Sequence, residues 1–137
     1  MLAFIAMYGL SYLWHGVLFS DLRDLKIPFG LYLSLAALVY AIISAGITVA
    51  VNQAIVHEWI KLKAGFPFMS FLVGAVIGFV VYLFVLVLGL SFAESGMVHV
   101  VVDVLWQMLE QGVGGLMVSL GVILDLRWNF LEVEKAK

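Results

Sequence analysis

An all-α integral membrane protein, a four-helix bundle running up and down with both termini on the cytoplasmic side, is the fold this sequence predicts. Three observations carry it. Hydrophobic residues make up 65% of the 137, charged residues only 12%, and the mean hydropathy is +1.17. An ordinary soluble domain carries about 25% charged residues. A chain this short would leave about a third of its surface exposed after folding, so with this composition the surrounding solvent has to be lipid. The third observation is the length of the apolar runs, because a bilayer-spanning helix needs about 20 apolar residues.

The first run is Met1 to Phe19, closed by Asp21, Arg23, Asp24, Lys26 and Pro28. It lacks the basic start and small-residue cleavage site of a secretory signal and reads as a retained span. The second is Phe29 to Val56, closed by the polar stretch holding His57, Glu58, Lys61 and Lys63. The third, Phe66 to Phe92, has no charge over 27 residues. After a break at Ala93 to Gly96 comes the fourth, Met97 to Phe130, interrupted by His99, Asp103, Gln107 and Glu110. The spans are therefore set at about 1–20, 29–56, 66–92 and 97–130 within a single transmembrane domain, 1–137. As one helix the fourth is about 50 Å long, more than the hydrocarbon core of about 30 Å. It is read as one long helix rather than an interfacial segment followed by a short span, with Gly112, Gly114 and Gly115 as places for a kink. Barrel strands alternate in polarity over about 10 residues, and these runs do not.

Orientation follows from lysine and arginine. With four spans, Lys61, Lys63, Arg127, Lys135 and Lys137 share the side of the termini, against Arg23 and Lys26 on the other. The positive-inside rule puts the termini in the cytoplasm, and a bacterial inner membrane is the expected location. Trp14, Trp59, Trp106 and Trp128 fall near span ends and suit an aromatic belt. Small-residue pairs suit close helix packing: Gly74 with Gly78, Gly115 with Ser119, Gly46 with Ala50, and Ala37, Ala41 and Ala45 at intervals of four.

The absence of cysteine removes disulfides, thiolate metal sites and iron–sulfur clusters. A net charge of −2 names no acidic or basic partner, and the scattered lysines and arginines form no nucleic-acid stripe. Motifs for covalent catalysis or phosphate binding are missing, so no enzyme activity is expected.

What needs explaining are ionisable groups at membrane depth, which are costly and normally face the protein interior or a cavity. His99, Asp103, Trp106 or Gln107, and Glu110 step by three or four and share one helix face. His15, flanked on its own face by Tyr8 and Tyr12, is expected at the depth of His99 and Asp103. Glu110 lies about 10 Å deeper, where a carboxylate has to be paired, protonated or hydrated.

Several readings of these groups stand side by side. The first in rank is a non-catalytic structural protein or accessory subunit of a membrane complex, in which the polar groups fix helix register or meet a partner. The second is proton or cation binding and transport through Asp103 and Glu110. The third is a divalent metal held by His15, His99 and Asp103, with Glu94 as a further ligand, and a bis-histidine haem on His15 and His99 ranks below it. His57 is expected to be solvated, and Asp125 with Arg127 to form a pair at a span end. The expected partners are the lipid bilayer and either a second copy of the chain or other membrane subunits.

Overall fold

The structure is a computed structural model, and it describes residues 1–18, 28–62, 65–87 and 97–135, with the side chains of 16–18, 97, 99 and 130–135 outside that description. Every regular element among the described residues is helical. Helix α1 is Leu2–Ser11 and runs on into a π-helical stretch, Tyr12–Leu18. Helices α2, Phe29–Val56, α3, Phe66–Val87, and α4, Met97–Lys135, follow. Among the described residues, three helical stretches are long and apolar enough to cross a membrane: Phe29–Val56, Phe66–Val87 and Val100–Asn129. The N-terminal run, expected as a span over about 1–20, has ten α-helical residues that give way to π geometry at Tyr12. Short π segments inside helices recur at functional sites, and this one carries His15.

The fourth apolar segment is a single helix. Its glycines do not break it, because they serve as contact points instead. Helix α4 packs against all three others, most extensively against α3. Small residues of α3 fall every fourth position, Ser70, Gly74 and Gly78, and α4 runs antiparallel across them. A Cβ on Gly74 would overlap the Gln111 carbonyl oxygen, and one on Gly115 the Ser70 carbonyl oxygen. On Gly78 it would lie 2.5 Å from the Gln107 carbonyl oxygen. The two backbones are in direct contact, which is how helices gain van der Waals attraction where lipid removes the hydrophobic driving force. Gly114 does the same on another face of α4, where a Cβ would meet Met7 Sδ at 2.5 Å and Ile47 Cδ1 at 3.2 Å. The sequence pairing of Gly46 with Ala50 has no such use within the chain, since nothing lies within 4 Å of a Cβ at Gly46.

The packed core occupies the half of the bundle nearer the N-terminus and the 57–62 loop. Ala3 and Met7 of α1, Ile47, Val51 and Ala54 of α2, Ile60 and Phe66 are buried together, with Met117, Val118 and Val122 of α4 against them. Helix α2 ends in a turn with Glu58 in the left-handed region, φ 59°. The Glu58 N–H donates to Ile55 O at 3.0 Å and the Ile60 N–H to Ala54 O at 3.1 Å. Ile60 is thereby folded back onto the core, a helix stop of the kind in which a hydrophobic contact accompanies the reversed chain.

Three hydroxyls of the apolar helices bond to their own backbone, while Ser70 Oγ is buried without a partner among the described residues. Ser34 Oγ donates to Gly30 O at 2.9 Å, Thr48 Oγ1 to Ser44 O at 2.8 Å and Ser119 Oγ to Leu116 O at 2.7 Å. Between helices, Tyr8 Oη donates to Leu33 O at 3.3 Å and ties α1 to α2. Near the end of α4, Asp125 is met by Asn129 Nδ2 at 3.5 Å. That partner lies one turn on, whereas Arg127, two residues away, points to a different side of the helix.

Candidate functional site

The other half of the bundle is open. A cavity of about 390 Å³ lies where the C-terminal end of the first helical segment, the first half of α2, the last turns of α3 and the first turns of α4 come together. The first segment supplies Ser11 and His15. Helix α2 supplies Tyr32, Tyr40 and apolar side chains including Leu35 and Val39, and α3 supplies Val81, Tyr82 and Val85. Helix α4 contributes Asp103, Trp106 and Gln107, three members of the polar stripe expected from the sequence. Helical spacing accounts for this, since 103, 106 and 107 lie on one face.

Glu110, the last member of the stripe, is 0% exposed. It lies ten residues into the apolar stretch Val100–Asn129, about 15 Å along the helix. The Tyr40 hydroxyl and the Trp106 indole N–H are its polar neighbours, but neither carboxyl oxygen completes a hydrogen bond among the described residues. Ser11 in turn lies beside Tyr40. Ser11, Tyr40 and Trp106 all line the cavity, so both polar neighbours of Glu110 belong to the cavity wall. The Trp106 ring is held by stacking on Trp14, with centroids 3.8 Å apart and planes 10° from parallel. These two tryptophans pair with each other, while Trp59 and Trp128 are exposed, as an aromatic belt requires.

His15 and Asp103 line the same cavity. The side chain of His99 lies outside the described residues, as does Glu94, so the expectations of a metal on His15, His99 and Asp103 and of a bis-histidine haem both turn on groups that are not described. Among the described residues no three His, Cys, Asp or Glu side chains are gathered as metal ligands. Asp103 makes no hydrogen bond or ion pair among the described residues. His57 is exposed and meets the Trp59 ring edge-on at 5.5 Å.

Sequence reasoning missed Tyr32, Tyr40 and Tyr82. Each is flanked by apolar residues, and only the packing of α2 and α3 brings Tyr82 to the cavity that Tyr32 and Tyr40 line. It also passed over Gln111, which is 0% exposed with its amide unpaired among the described residues. The available signal was a polar residue adjacent to Glu110, in the glycine-rich stretch where α3 and α4 touch.

No protein-family model, curated protein or solved structure matches this chain.

Proposed function

We propose that this is a small, non-enzymatic membrane protein that binds and exchanges protons or cations inside the bilayer, with Glu110 as the titrating group and Asp103 at the approach to it. The observation that supports this reading is the placement of a fully buried carboxyl behind Tyr40 and Trp106, which line a cavity that also holds Asp103 and His15. A carboxylate in such surroundings is stabilised by a cation or a proton and by little else. Binding one while releasing the other keeps the site neutral, and the Tyr40 hydroxyl lies between cavity and carboxyl to pass the proton. The topology that goes with this is four crossings, both termini in the cytoplasm and a bacterial inner membrane. A second copy of the chain would complete the pathway.

The test is proton and cation flux in liposomes holding the purified chain. Glu110→Gln preserves shape and hydrogen-bonding groups but cannot titrate, and is expected to abolish flux. Flux equal to that of the unaltered chain would reject the role of Glu110.

A second reading, a structural protein or accessory subunit of a membrane complex, is supported by α2. Its Ala41, Ala45 and Gly46 are exposed and unused in packing within the chain, so close approach of a foreign helix is sterically open there. Copurification of a distinct membrane protein in mild detergent, lost on Gly46→Leu, is the outcome that reading requires.

A further inference from the structure

The cavity has a composition that discriminates among occupants. Its acidic lining group is Asp103, and among the described residues Asp103 has no ion pair and no lysine or arginine reaches the wall. Four aromatic side chains from two flanking helices and α4 surround the same space: Tyr32, Tyr40, Tyr82 and Trp106. The faces of such rings attract cations electrostatically, most strongly where water is excluded. Tyr82 contributes its ring to the wall, while its hydroxyl is buried without a hydrogen-bond partner among the described residues. Ser11, His15 and Gln107 add polar groups to the wall, and the rest of it is aliphatic. Leu35 and Val39 line the cavity and are about half exposed, so the cavity is open along α2.

We infer that the cavity binds an organic cation with an apolar body, admitted from the hydrocarbon between α2 and α3, with the charge beside Asp103 and within the aromatic ring faces. This rests on the reading that this half of the bundle handles cations, and it names the class. A bare inorganic ion would need about six oxygen ligands to replace its water, and would fill little of 390 Å³. A neutral hydrocarbon would leave Asp103 desolvated without a counter-charge. A volume of this size falls in the range of about 300–1,000 Å³ that holds drug-sized molecules.

The test uses the full chain in lipid nanodiscs, titrated calorimetrically with benzyltributylammonium and with the neutral N,N-dibutylbenzamide. The expected result is saturable binding of the cation at one site per chain, with the amide at least about tenfold weaker. Asp103→Asn is expected to bring the cation down to the level of the amide. Val81→Phe, which fills the cavity from α3 without touching a charge, is expected to block both. Equal affinity for cation and amide, no saturable binding, or cation binding unchanged by both variants would overturn the inference. Flux abolished by Glu110→Gln in a chain that fails to bind the organic cation leaves the proton or inorganic cation role standing and removes only this ligand class. Loss of both results removes both.

Discussion

Gly115→Leu is expected to separate α3 from α4 and to leave little folded protein in detergent. At Gly115 the first added carbon would overlap the Ser70 carbonyl oxygen, and backbone cannot rotate away as a side chain can. Overpacking against movable side chains costs about 1–3 kcal/mol, and contact with backbone exceeds that because the helix axes themselves have to part. Gly46→Leu is the control, because nothing lies within 4 Å of its Cβ and the added side chain would project into lipid. Thermal unfolding followed by circular dichroism should show a large drop for Gly115→Leu and almost none for Gly46→Leu. Similar melting of the two variants would mean that the close crossing of α3 and α4 is not what holds the bundle together.

The second large effect is expected at Glu110. Replacing it with lysine puts a permanent cation at 0% exposure beside a tyrosine hydroxyl and an indole N–H, neither of which supplies a compensating charge. A charged side chain at the centre of a membrane helix costs about 2.5–3.5 kcal/mol even when it can partly escape to water. In a packed interior the longer side chain adds strain to that. Glu110→Lys should therefore fail to accumulate in the membrane, whereas Glu110→Gln, neutral and of the same shape, should accumulate and melt like the unaltered chain. Normal accumulation of the lysine variant would place position 110 against water.

The helices were legible because lipid imposes a simple rule: long apolar stretches must satisfy their own backbone, and only helices do so without partners. The boundaries of α2 and the start of α3 and α4 fall where the charged and proline-containing breaks put them. The polar stripe was legible too, because a three-to-four spacing in an apolar background fixes which residues share a face, and Asp103, Trp106 and Gln107 do line one cavity. What periodicity does not carry is which helix faces which. The α3–α4 crossing follows from glycines at 74, 78 and 115, but small residues at 37, 41 and 45 look equally suitable in sequence, and Ala41 and Ala45 face outward. The π geometry at Tyr12–Leu18 has no local signal in residue types. The aromatic lining of the cavity is a tertiary property of residues that are individually ordinary for a membrane helix.

The proposed exchange of protons or cations requires a titratable carboxyl inside the bilayer, in communication with the cavity. Infrared difference spectroscopy of the chain in lipid, recorded as the pH is stepped or as cation is added, reads this directly through the carbonyl stretch of a protonated carboxyl. The account predicts a band that appears or vanishes with proton or cation exchange and that is missing in Glu110→Gln. A spectrum without such a band, or one in which the band persists in that variant, would contradict it.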